Sequence, residues 1–230
     1  MYGQHDCFKM TTNFGFPHWK GDNYKAGGLL VLAESAYNEK DPSVPVDPEW
    51  SVKGVIGYLE KQEGVKYKRW YLHFKRIYLT VCGIDAVRPW NAENAKKFFH
   101  GIVYANYIIP TVGGSPKDNP SELQWGSAWL PFRQFMSELA KNELSPGGVL
   151  VLGKKVWENL LDNAGDDIVG RKVDSEAFAI GNSVNARICA IPHPSSWNRL
   201  DPQYKPEMAN AHFRNKFGSQ GARHVEPEAV

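Results

Sequence analysis

Three short polar segments carry the residue types that could do chemistry, and each directly follows an apolar run. The first is Ala33–Asn38, with Glu34, Ser35, Tyr37 and Asn38 after Leu29-Leu30-Val31-Leu32. The second surrounds Asn106, inside the segment Ile102–Ile109. The third is His193–Trp197, with Arg199 two residues beyond it, after the run Ala186–Ile191. A carboxylate and an imidazole are the side chains most often used for acid–base and electrostatic work. An Asn amide presents a donor and an acceptor side by side. Taken singly, each has a plainer reading. His193 before Pro194 could be a turn residue, Asn106 could satisfy backbone groups, and Glu34 could be an ordinary strand-end carboxylate. Their recurrence at the ends of apolar runs is what makes them a candidate constellation.

The elements that must position them follow from hydrophobic period and punctuation. Leu29–Leu32, after a Gly-Gly pair, reads as a fully buried strand, and so do Val149–Gly153 and Ala186–Ile191. Asp47-Pro48 is a helix start, and Val52, Val55, Ile56 and Leu59 form one face of that helix. Trp70, Phe74, Ile77, Tyr78 and Val81 mark a second helix, whose other faces carry Lys68, Arg69, Lys75 and Arg76. A third is expected from Asn91 towards Ile102, where a strand-like segment begins. A fourth carries Phe132, Phe135, Met136 and Leu139 and is closed by Ser145-Pro146-Gly147-Gly148, and a fifth lies around Val156–Leu161. Apolar strands alternating with helices predict an α/β domain, a three-layer α/β/α sandwich on a mostly parallel sheet of about four strands. Ligands of such sheets sit at the carboxyl ends of the strands, where all three polar segments fall. The first 27 residues show no clean periodicity, and the last 30 read as a loosely packed tail or cap.

Composition sets the outer limits. A chain of 230 residues, 42% hydrophobic and 23% charged, can build one well-cored domain, here expected over 1–230 with its core at about 28–200. No apolar run is long enough to span a bilayer and no basic-then-apolar signal opens the chain, so a cytoplasmic protein, or a nuclear one in a eukaryote, is expected without a membrane partner. Three distant cysteines, Cys7, Cys82 and Cys189, fit neither a disulfide framework nor a metal-ligand spacing, and the expectation is no metal and no metal cluster. A net charge of +2 neither demands nor forbids a polyanionic partner.

In order and spacing the three segments resemble the uracil-DNA-glycosylase superfamily, over roughly Leu29 to Leu200. There a first strand ends in a G-Q-D-P-Y-H or G-E-A-P-G loop, a middle strand presents an Asn, and a late strand ends in H-P-S. This chain has A-E-S-A-Y-N at 33–38, Y-A-N-Y at 104–107 and H-P-S-S-W at 193–197. The resemblance implies a monomeric DNA base N-glycosylase without cofactor. His193 would donate to a carbonyl of the departing base, and Glu34 would orient water and favour a cationic sugar. Asn106 would read the base edge and Tyr37 would wall off its C5 side, with Ser35 and Asn38 beside them. Ser195 and Ser196 would clamp the DNA backbone, Trp197 would fill the gap left by the flipped base, and Arg199 would meet a phosphate.

The departures are informative. Ala33 stands for the usual opening Gly and Ala36 for the usual Pro. Ser35 occupies the position where the best-known branch has its water-activating Asp. The usual base-stacking Phe is absent between Asn38 and Tyr71, leaving Trp50 or Trp19 as substitutes. Smaller side chains suggest a modified or damaged pyrimidine in repair or defence. The competing readings are a catalytically inactive module gripping DNA or a DNA mimic, a hydrolase of a nucleoside or nucleotide, and a generic α/β protein whose H-P-S is accidental.

Overall fold

A computed structural model of the chain describes residues 15–37, 47–61, 70–83, 92–109, 112–114, 118–169, 177–180, 184–194 and 206–223. In chain order these give β1 (His18–Lys20), β2 (Leu29–Ala33), α1 (Pro48–Lys61), α2 (Tyr71–Cys82), α3 (Ala92–His100) and β3 (Ile102–Asn106). They continue with α4 (Glu122–Ser127), α5 (Trp129–Lys141), β4 (Gly148–Leu152), α6 (Lys154–Ala164), β5 (Ile168–Val169), β6 (Ala177–Ile180), β7 (Val184–Ile191) and α7 (Pro206–Arg223).

The sheet has seven strands in the order β1-β3-β2-β4-β7-β6-β5. Its centre is the parallel quartet β3-β2-β4-β7, and β1, β6 and β5 add antiparallel edges. The sheet is therefore mixed, and wider than the four mostly parallel strands expected. The added strands have three, two and four residues, too few for a period-2 pattern to stand out.

Burial alternates along the central strands as a pleated sheet requires. Leu29, Val31 and Ala33 of β2, with Ile102, Tyr104, Leu150, Leu152, Cys189 and Ile191, pack under α1, α2, α3 and α7. Leu30, Leu32, Val103, Ala105, Val149, Val151, Ala186 and Ile188 pack against α4, α5 and α6. β2, β3 and β4 are thus buried on both faces, which is why they read as hydrophobic runs, whereas β7 carries the exposed Arg187. The Asp47 carboxylate accepts the Glu49 backbone N–H at 2.8 Å, the cap that starts α1.

The C-terminal segment differs from the expected loose tail. α7 packs on α2 and β7, with Ala209, Phe213 and Phe217 buried. The Asn210 amide donates to the Thr80 carbonyl at 2.8 Å. A Cβ at Gly148 would come within 2.5 Å of the Phe217 ring, so the close seating of this helix on β4 depends on glycine there. From residue 15 on, the N-terminal segment also contributes to the core, with Phe16, Trp19 and Tyr24 buried. Phe213→Ala should therefore cost about 3–5 kcal/mol in chemical denaturation, as for other buried Phe truncations. A cost below about 1 kcal/mol would return α7 to the status of a tail.

Candidate functional site

Register places the ends of the four parallel strands in one row. Asn106 lies opposite Ala33, and Leu152 lies opposite Ile191. Leu32 pairs with Val151, so Ala33 and Leu152 come level as well. The row crosses three strand spacings, about 14 Å at ~4.8 Å each. Beyond β2 the chain leads to α1 on one face, whereas beyond β4 it enters α6 on the other. Connections that part in this way mark the carboxyl edge as the position where open α/β sheets hold ligands.

The segment after β2 is held by a continued ladder. The backbone N–H groups of Tyr107, Ile108 and Val112 donate to the carbonyls of Ala33, Glu34 and Ala36 at 2.8, 2.9 and 3.0 Å. Glu34, Ser35 and Tyr37 are half-buried on this segment. Loss of water pushes the Glu34 carboxyl above the usual carboxylate range, partly offset by the Lys155 cation and a hydrogen bond from Tyr37. The Ser35 hydroxyl faces the Tyr37 hydroxyl at 3.4 Å, and burial raises the Tyr37 phenol. Lys155 lies on α6, so Glu34 feels the layer opposite to α2.

Asn106 closes β3 on the same face as Ile102 and Tyr104, and is 6% exposed. Among the described residues its side-chain amide has no hydrogen-bond partner. The next residue shows the contrast, because the buried Tyr107 hydroxyl donates to the Asn159 side-chain oxygen at 2.8 Å. A buried amide left without partners costs roughly 1–3 kcal/mol.

His193 lies two residues past β7, and its surroundings come from α2. The His73 and His193 rings are stacked, with centroids 5.0 Å apart and planes at 26°. Nε2 of His73 is 3.4 Å from the Tyr104 hydroxyl, and the Arg76 guanidinium donates to the Pro194 carbonyl oxygen. On the other side is Gly153, with φ +115°, a backbone conformation that glycine adopts without strain; a Cβ there would touch the His193 Cβ at 3.5 Å. Burial lowers the His193 ring to about 4, so the imidazole is neutral at pH 7. Burial, with His193 and Arg76 as neighbouring charges, lowers His73 as well.

Glu34 and Asn106 thus end adjacent strands but belong to opposite layers, Asn106 to the α2 side and Glu34 to the α6 side, while His193 stands two strands further along the same edge and bears on α2. Asn38, Ser195, Ser196, Trp197 and Arg199 lie outside the described residues. Neither proposed stacking tryptophan matches its role simply. Trp19 is a core residue whose indole N–H donates to the Phe99 carbonyl at 2.8 Å. Trp50 is 58% exposed and stacks on Trp70, with centroids 6.2 Å apart. Sequence reasoning missed His73 and Tyr104, because a histidine or tyrosine on an apolar face looks like any other core residue. No three His, Cys, Asp or Glu side chains among the described residues group so as to hold a metal ion, and no helix is long and apolar enough to cross a membrane.

No family model matches this chain, and no curated protein matches it.

Two measurements check the geometry. Asn106→Leu should leave thermal stability unchanged or raise it, because it removes a buried amide that has no partner among the described residues. A loss above ~1 kcal/mol would make Asn106 a structural residue. Between pH ~6.5, where an unfolded histidine takes up its proton, and about 4, where His193 does, the unfolded state binds more protons. Stability gained from the neutral ring is full above this window and lost as pH falls through it. Denaturation of the wild type should therefore show about 2 kcal/mol more loss between pH 7.5 and 4.5 than His193→Gln. Parallel pH profiles would refute the burial of this ring.

Proposed function

We propose that this chain is a DNA base N-glycosylase with a uracil-DNA-glycosylase-like fold, hydrolysing the bond between deoxyribose and a flipped-out, uracil-like or modified base. The observation that carries the reading is the buried amide of Asn106, without a hydrogen-bond partner among the described residues, on the same strand-end row as a neutral His193. An amide that the protein leaves unsatisfied is a natural mate for the amide-like edge of a pyrimidine, which offers the complementary donor and acceptor.

The chemistry then follows from charge. As the glycosidic bond breaks, its electron pair leaves with the base nitrogen and the sugar becomes cationic. The neutral His193 ring would donate an N–H to the base oxygen on which negative charge collects, an interaction commonly worth ~3 kcal/mol. Glu34 would favour the cationic sugar and orient the water that adds to it, with the released proton passing to the carboxylate or to solvent. Ser35 can serve neither as base nor as counter-charge, so these duties fall to Glu34. Tyr37, Ser35 and Asn38 would border the base, and Ser195, Ser196, Trp197 and Arg199 would grip the strand. Ala and Ser where the family has bulkier side chains favour a modified pyrimidine over plain uracil. The protein would act as a monomer, without metal or cofactor, in the cytoplasm or nucleus. The loss of the family's Asp at Ser35 supports a second reading, a module that binds DNA without cutting.

Base release from oligonucleotides carrying uracil, deaminated purines or modified pyrimidines tests the proposal. Release of one base is expected, falling about 10²–10³-fold in His193→Ala, as when an oxyanion donor is lost, and falling clearly in Glu34→Gln. Release of plain uracil alone would remove the modified-base assignment. No release from any substrate, with DNA binding that weakens steeply with salt, would replace catalysis by the binding reading.

A further inference from the structure

His73 has no counterpart in the motifs that suggested the activity, yet its ring stacks on that of His193. It stands with Arg76 three residues apart on α2, and such spacing places both on one helix face. The two side chains act on successive residues of the loop after β7. The His73 ring lies against the His193 imidazole at 5.0 Å and 26°, and Arg76 holds the carbonyl oxygen of Pro194. His73 is itself fixed from two further directions. Its Nε2 faces the Tyr104 hydroxyl at 3.4 Å, and its ring meets Phe74 edge-on at 5.2 Å and 86°. Behind His193 there is Gly153, whose backbone N–H donates to the Ile191 carbonyl at 2.8 Å.

We propose that His73 is a positioning residue for His193: its ring is the fixed surface that sets the plane of the His193 imidazole and keeps water from one of its faces. The proposal rests on the reading of His193 as the donor to the departing base. Two stacked imidazoles also make a proton on either ring unfavourable to the other, because like charges would then meet at close range. Among the described residues, the other charged and titratable groups set against the pair are Arg76 on α2 and Tyr104 on β3. The ends of the adjoining strands β2 and β4 bring the apolar Ala33 and Leu152 to this face. Arg76 opposes a proton on His73, burial opposes one on His193, and the neutral Tyr104 hydroxyl can serve His73 as donor or acceptor. The surroundings therefore favour two neutral rings, a state in which His193 carries one N–H to donate and does not depend on taking up a proton.

The test compares His73→Ala with His73→Phe, which keeps a flat ring but removes both nitrogens. Side-chain NMR titration of His193, assigned by its absence in His193→Gln, reports the environment without any substrate. In the wild type His193 should titrate near pH 4, as its buried setting implies. In His73→Ala the midpoint should rise by at least about one pH unit towards the ordinary ~6.5, because water reaches the exposed face. In His73→Phe it should stay low. Base release should fall about 10–100-fold in His73→Ala, mainly in kcat, and stay within about fivefold of wild type in His73→Phe, as expected where placement is what was lost. A His193 midpoint unmoved in His73→Ala would overturn the proposal, even if activity dropped. So would an equal loss of activity in the two variants at an equal His193 midpoint. A wild type that releases no base, while the midpoint still moves in His73→Ala, would refute the glycosylase reading and leave His73 as the residue that fixes His193.

Discussion

The rest of this structure depends on the apolar burial of four parallel strands on both faces. Because helices cover each side, every residue of β2, β3 and β4 is buried, and polar groups can enter only where the strands end. Parallel pairing brings those ends to one edge, and register decides which of them become neighbours. The polar residues at that edge inherit a poorly hydrated setting. Glu34 is pushed above the usual carboxylate range and His193 well below the usual histidine range, and desolvation is the largest cause of both. Fold and electrostatics are here one property.

That setting divides the two layers. On the α2 side, Asn106, Tyr104 and His193 share a face, and His73 links the last two. On the α6 side, Lys155 acts on Glu34. A ligand at the carboxyl edge of β2 and β4 would meet both, with a neutral donor on one flank and a carboxylate on the other. Such a split suits a reaction in which opposite charges develop on two parts of the substrate, since each can be matched without the two protein groups neutralising one another. A Glu34–His193 ion pair would serve that purpose less well, because each would satisfy the other in the resting state.

How much of this the sequence revealed depended on element length. The four strands of the quartet stood out because each is a run of apolar residues after a turn signal. Asp47-Pro48 marked the start of α1 because its cap is written in residue type. β1, β5 and β6 were too short to show a period, and their antiparallel pairing comes only from tertiary context. α7 was passed over although Ala209, Phe213 and Phe217 recur every four residues. Three buried positions among its described side chains make a narrow stripe that polar neighbours conceal. Ser121 and Gln124, which form a capping box at α4, were a readable signal left unused.

Glu34, Asn106 and His193 were found as the polar groups interrupting apolar patterns, but their supporting residues could not be found in that way. His73, Tyr104 and Gly153 lie within apolar stretches and gain their meaning from strands and helices distant in sequence. Polar residues at strand ends announce themselves because they break a pattern, whereas residues that hold them in place obey it. This is the expected division wherever a site is built on a rigid sheet, since a well-placed catalytic group needs neighbours that are packed as tightly as the core. The unpartnered Asn106 amide points the same way. The nearby Tyr107 hydroxyl is satisfied, whereas among the described residues this amide has no mate, and a bound molecule able to supply one would add the hydrogen bonds it lacks.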